Sequence, residues 1–237
     1  MMNVEMFGGF PAQGLAFLEQ LKVNNDREWF NARKETYLAS LQQPAVDFVF
    51  ALGERLKDLS PGISYDLRTN GSGSVLRIYR DTRFGKDKRP YNTALRMFFW
   101  EGTHKKMENP GFFVRVDASG AGVFVGMWRF PKPLLEAYRE AVADTDSGAA
   151  LETALAAIRE ARSYSIGGEH YKRVPRPFDA WHPRADLLRH NGLYAHFGAI
   201  SPDVVLRQEL VDVCIEHFRN MAPLHYWLVE VAQHLPG

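Results

Sequence analysis

The sequence predicts an α+β fold, and three features of its patterning carry that prediction. Helical spacing of apolar residues fills the first sixty positions, a period of two takes over from about Ile63 to Trp128, and helical spacing returns after Pro131. An antiparallel sheet of roughly three to five strands within about residues 63–128, packed with N-terminal and C-terminal helices, is the expected arrangement. Dividing 237 residues by the roughly 150 of a typical domain gives about 1.6, and no linker-like or low-complexity tract interrupts the chain. Residues 1–237 therefore read as one domain.

The elements follow in order. Leu15, Leu18 and Leu21 form a stripe behind Pro11, whose fixed φ suits a helix start, and the stripe stops at Asn24-Asn25. Asn25 with Glu28 three residues on has the spacing of a capping box, opening a second helix that carries Phe30, Tyr37, Leu38 and Leu41. A third helix opens at Pro44, carries Phe48, Val49, Leu52, Leu56 and Leu59, and stops before Pro61-Gly62. Leu76, Ile78 and Arg80 then alternate with Arg77, Tyr79 and Asp81, which predicts a strand. Gly111–Asp117 and Val123–Trp128, joined by a turn over Ala118–Gly122, read as a hairpin with Ala94–Trp100 as its neighbour. Helices over Leu134–Val142 and Ala149–Ala161 follow, then a loop from Ser163 to Trp181 and a short helical segment at Pro183–His190. Ser201-Pro202 caps a helix reaching about Met221, and Pro223 opens or kinks a last one.

Apolar residues at 46%, charged at 24% and aromatic at 13% exclude a disordered, collagen-like or coiled-coil chain. The single cysteine, Cys214, has no disulfide partner and sits in an apolar stretch, where it reads as a small buried hydrophobe. No apolar run approaches the roughly 18 residues a bilayer requires, and Met1–Glu5 begins no secretory signal, so a cytoplasmic protein without a membrane part is expected.

Charge is where the sequence points to chemistry. Between Arg77 and Lys106 nine basic side chains face three acidic ones, a net +6, whereas the whole chain carries +1 and the remainder −5. Concentration of this kind marks a local anion site more than general nucleic-acid affinity. Its core is the stretch Arg77–Tyr91, with Arg77, Tyr79, Arg80, Arg83, Lys86, Lys88 and Tyr91 as candidate ligand-binding residues. Guanidinium groups offer planar forks to phosphate and ammonium groups offer point charges. Asp81 and Asp87 are the candidate catalytic residues, able to order those cations or to take part in proton transfer, and Phe84, Pro90 and Tyr91 would anchor the loop.

Other constellations carry less. Asn70–Ser74 is glycine-rich but leads into a strand, whereas phosphate loops lead into a helix, so it reads as a turn. No nucleotide-triphosphatase loop or hydrolase elbow occurs. His182, Asp186 and His190 share one helical face at metal-ligand spacing, but helix capping by His182 and Asp186 is the better reading and no metal is assigned. Arg173, Arg176, Arg184 and Arg189 form a second, weaker basic cluster. Asn24, Asn25, Arg27, Glu28 and Trp29 read as structural, with Glu28 the best acid outside the basic segment.

Three readings follow. The favoured one is binding of a phosphate-bearing or other anionic small molecule by Arg77–Tyr91. The second is a phosphoester-processing enzyme using the same cations with Asp81 or Asp87. The third is an internal salt-bridge network or a docking surface for an acidic protein. Nucleic acid is admitted but not favoured, no membrane partner is expected, and neither a cofactor nor an oligomeric state can be named from the residues.

The strings NNDREWF (Asn24–Phe30), RIYRDTRFGKDKRPYNT (Arg77–Thr93), and RVPRPFD (Arg173–Asp179) followed by HPRADLLR (His182–Arg189) resemble the three signature blocks of a domain-of-unknown-function family of bacterial and fungal conserved hypothetical proteins. The resemblance covers roughly Phe7 to Tyr194 and rests chiefly on the long second block. It implies a compact domain and a shared site without naming a reaction. This chain departs from the family pattern at Gly85, where serine is usual, and at Asn92 and Asn191, where lysine is usual.

Overall fold

A computed structural model describes residues 6–83, 85–161 and 163–233. Met1–Glu5, where no signal was expected, and Phe84, expected to anchor the basic loop, lie outside the described residues. The fold is α+β, with an antiparallel sheet whose strands are β1 (Ile63–Ser64), β2 (Leu95–Glu101), β3 (Gly111–Asp117), β4 (Gly120–Met127), β5 (Ser165–Glu169) and β6 (His190–Ile200), hydrogen-bonded in the order β1-β2-β3-β4-β6-β5. Six strands exceed the expected three to five, because β5 lies where a loop was expected and β6 lies almost wholly in a stretch, 191–200, that was given no element.

The reason is glycine. β6 carries Gly192, whose added Cβ would lie 2.2 Å from the Trp128 carbonyl oxygen, and β4 carries Gly126 at φ +118°, whose Cβ would lie 2.3 Å from the Leu193 carbonyl oxygen. Close backbone approach demands glycine at positions that a sequence reading scores as strand breaks. The period of two is nevertheless present in β6, where Leu193 and Ala195 are buried and Tyr194 and His196 are half-buried.

Chain contacts gather into two compact units, one of residues 1–99, 113–123 and 198–215 and one of residues 100–112, 124–197 and 216–237. In the first, α1 (Ala12–Val23) buries Leu15, Leu18 and Leu21 as its spacing predicts. The second helix starts one residue later than expected. Asp26, not Asn25, caps α2 (Arg27–Asn31), accepting a hydrogen bond from the Trp29 amide at 2.9 Å. The helical path then runs through α3 (Lys34–Tyr37) and a π-helical turn (Leu38–Gln42) directly into α4 (Gln43–Leu59). Pro44 therefore does not open a new helix. Its ring would press on the carbonyl four residues earlier and it donates no hydrogen bond, and the wider π turn just before it relieves that conflict. Leu52 and Leu56 of α4 are fully buried, and the rings of Phe7, Phe10 and Phe48 meet edge-on or tilted at 5.0–5.9 Å.

In the second unit, α5 (Lys132–Ala143) and α6 (Thr145–Glu160) occupy the expected segments, with Asp144 capping α6. α7 (Ala185–Leu188) is a single turn; Tyr138 of α5 reaches it, its hydroxyl donating to the Leu187 carbonyl at 2.9 Å. α8 (Pro202–Val205), which belongs to the first unit, is likewise short, and in the second Pro223 lies inside α9 (Leu210–Gln233) instead of opening a separate helix. Phe112 packs on Phe218 and on the buried His225, whose Nε2 lies 2.8 Å from Glu101 Oε2. Cys214 is fully buried, as its apolar neighbours imply. No helix among the described residues is long and apolar enough to cross a membrane.

Candidate functional site

The core of the basic segment, Arg77–Tyr91, belongs wholly to the first unit. Residues 76–81 were expected to form a strand, but they make a single isolated bridge, Tyr79 with Tyr91, and Val75 just before them makes another with Met97. The alternation itself holds: Ile78 is buried while Arg77 and Tyr79 are exposed. Beyond Tyr79 the ladder gives way because aspartates satisfy the backbone locally. Asp81 Oδ1 accepts from the Arg83 amide at 3.1 Å and Asp87 Oδ1 from the Arg89 amide at 3.1 Å, turns that compete with strand pairing. The Arg80 amide donates to the Pro90 carbonyl at 2.8 Å and the Asn92 amide to the Ile78 carbonyl at 2.7 Å, so residues 80–90 form a lobe with a closed neck.

That neck is tied to α2. Asn25 Nδ2 donates to the Tyr91 carbonyl at 3.1 Å, and the Tyr91 amide donates back to Asn25 Oδ1 at 3.0 Å. Phe30 of α2 stacks on the Tyr91 ring at 4.1 Å and 14°. Asn25 was expected to cap a helix; it acts instead as a two-bond clamp on a residue 66 positions away. Nothing local in the sequence announces that partner.

On the lobe, cations and aspartates pair. Arg83 forks onto Asp81 at 2.7 and 3.0 Å, while Asp87 takes Arg89 at 2.7 Å and Arg80 at 2.6 Å. Hydrogen bonds from Arg83 hold the Asp81 carboxyl down to about 2, and those from Arg89 and Arg80 hold Asp87 well below the usual carboxylate range. Both are ionised and engaged, which suits them better to ordering the arginines than to accepting a proton at neutral pH. The D-x-R spacing that produces these forks also occurs at Asp66 and Arg68, which pair in the same way, and it was readable in the sequence.

Six bases and two acids leave Arg77–Tyr91 with a net +4. Lys88 Nζ donates to the Thr82 carbonyl at 2.9 Å, Arg77 donates to the Asn70 carbonyl at 2.9 Å, and Lys86 has no carboxylate partner among the described residues. The glycine-rich turn thus has a use that its sequence did not suggest, since it seats Arg77. Gly71 has φ +94°, and a Cβ there would lie 1.9 Å from Arg77 Nε. At Gly85 an added Cβ would meet only the Asp87 carbonyl oxygen, at 3.6 Å, so a serine there has room.

Behind the neck lies a pocket of about 220 Å³. Phe30, Tyr37, Val75 and Ile78 give it buried walls, and the exposed Lys34, Arg77 and Tyr79 line its open side. Leu38 and Gln42, both from the π turn, complete it with Thr69 and Leu76. Burial, with the Tyr79 phenol nearby, pushes the Tyr37 hydroxyl up to about 12, so it stays protonated. The structure therefore brings Arg77 and Tyr79 to one pocket, sets Arg80, Arg83, Asp81 and Asp87 in the adjoining lobe, and adds Lys34, Tyr37 and Gln42, which the sequence reading had treated as helix face or not at all.

The second basic cluster belongs to the other unit. There Arg184 pairs with Glu152 at 2.9 Å, and Arg189 with Asp186 at 2.7 Å and Glu169 at 3.0 Å. The expected capping is not found: His182 Nδ1 accepts from the Arg184 amide at 3.0 Å, a local turn just ahead of α7, and the Asp186 carboxylate takes an arginine. No group of three or more potential metal ligands occurs among the described residues.

Fold and site define an α+β protein with a cation-rich lobe beside a small aromatic pocket. The model of the conserved hypothetical protein family DUF2461 matches residues 13–227, and the chain belongs to that family. A search of the curated proteins finds no match.

Proposed function

We propose that the protein binds a small phosphate-bearing or otherwise anionic molecule at the Arg77–Tyr91 segment. One observation carries the reading: the segment's two carboxylates are already committed to arginines, and four positive charges remain in excess. Arg77, Lys86 and Lys88 meet only neutral groups or none among the described residues. An incoming anion supplies the missing counter-charge, and Arg80, Arg83 and the exposed Tyr79 stand beside it as further donors, while the buried Tyr91 anchors the neck of the lobe. In a thermal-shift series with inorganic phosphate, pyrophosphate and sugar phosphates, the wild type gains stability with concentration and Arg83→Ala/Lys86→Ala/Lys88→Ala does not. Equal shifts in both proteins would refute the reading.

The ion pairs favour a second reading, in which the lobe is a structural network. It predicts that the same triple variant melts earlier in every buffer and that no anion shifts the wild type. A phosphoester reaction at these cations would use Asp81 and Asp87 as ionised groups that orient arginines or hold a metal ion, not as proton acceptors.

A further inference from the structure

The pocket beside the lobe has a chemical character of its own. Tyr37 is 8% exposed, and its hydroxyl has no hydrogen-bond partner among the described residues. The half-buried Gln42 side chain is likewise without a partner there, although its amide can donate twice and accept. The phenol and the amide thus keep their hydrogen-bonding capacity open to whatever enters beside them. Both line the pocket, and the π turn presents Gln42 to it, a local geometry that recurs at functional sites. The remaining buried wall, Phe30, Val75 and Ile78, is apolar. On the open side Lys34 and Arg77 have no carboxylate partner among the described residues, and the ring of Tyr79, 56% exposed, lies with them.

We infer that this pocket takes a planar, hydrogen-bonding ring bearing one anionic group, with the ring inward against Tyr37 and Gln42 and the anion outward between Lys34 and Arg77. The inference rests on the anion-binding reading of Arg77 and specifies what the anion is attached to. Size sets the limit: about 220 Å³ is below the roughly 300–1,000 Å³ of drug-sized sites, so it holds one ring and excludes a dinucleotide. A carboxylate or a phosphate satisfies the outer cations equally, and the test separates them.

Uridine 5′-monophosphate and nicotinate serve as probes by isothermal titration, with uridine, nicotinamide and inorganic phosphate as their neutral or ringless halves. At least one ring–anion probe binds about tenfold or more tighter than either of its halves, and which one does names the anion. Tyr37→Phe weakens that probe about fivefold, the worth of one hydrogen bond, and leaves phosphate binding unchanged. Gln42→Met acts in the same direction, and Lys34→Ala weakens the anionic probe but not its neutral half. If ring–anion probes bind no tighter than inorganic phosphate, or if Tyr37→Phe and Gln42→Met match the wild type, the ring site is wrong while the anion reading stands. If no anion binds at all, both fall.

Discussion

Replacing Asn25 with alanine removes both hydrogen bonds that hold the neck of the basic lobe against α2. The bonds measure 3.0 and 3.1 Å and satisfy the amide and carbonyl of the same residue, Tyr91. A typical intramolecular hydrogen bond contributes about 0.5–1.5 kcal/mol net, so losing two costs about 1–3 kcal/mol. For a chain of this size each kcal/mol moves the melting midpoint by about 2–4 °C, which places the expected fall near 4–8 °C for a loss of about 2 kcal/mol. Asn25→Asp keeps the acceptor for the Tyr91 amide but loses the donor to its carbonyl, so it falls between alanine and wild type. Melts followed by circular dichroism give the midpoints, and amide exchange at Tyr91 reports the clamp directly by speeding up in the alanine variant. A midpoint within about 1 °C of wild type, with unchanged exchange at Tyr91, would refute the assignment of Asn25 as the clamp.

Three further outcomes follow from the geometry. Phe30→Ala empties a 1%-exposed position stacked on Tyr91 and costs about 3–5 kcal/mol in denaturant titrations. Asp87→Asn frees Arg80 and Arg89 from their shared carboxylate, so phosphate affinity rises severalfold in titration calorimetry; a fall would mean that the carboxylate itself serves the ligand. Burial lowers the pKa of His190, His217 and His225, so the unfolded chain binds more protons near pH 6. Stability from these three histidines is complete above their ordinary value of about 6.5 and declines as pH falls through the depressed values, and His225→Gln should flatten the fall in melting midpoint between about pH 7 and 5.

What the sequence made legible was whatever rests on local spacing. The α1 stripe, the β3–β4 hairpin, the α5 and α6 segments and the exposure of Arg77 and Tyr79 all follow from periods of 3.6 or 2. The arginine–aspartate forks are equally local, but their D-x-R spacing is a signal that the reading of the basic segment did not use. What escaped depends on partners distant in sequence or on backbone proximity. β6 hid behind glycines that only close packing explains, and Asn25 looked like a cap because its Tyr91 partner is 66 residues away. The pocket escaped for a related reason: Gln42 reaches it from the π turn just before Pro44 and Tyr37 from the residue just ahead of that turn, and helical periodicity assigns those positions to a face without foreseeing the extra residue in the turn.

The most direct test of the proposed anion site is titration of pyrophosphate into the wild type and into Arg77→Ala/Lys86→Ala at about 50 and 300 mM salt. Saturable binding that weakens as salt screens the lobe, and that drops tenfold or more in the variant while its melting midpoint holds, is the predicted result. Binding of equal strength in both proteins, or none in either, would contradict the assignment of Arg77–Tyr91 as an anion site.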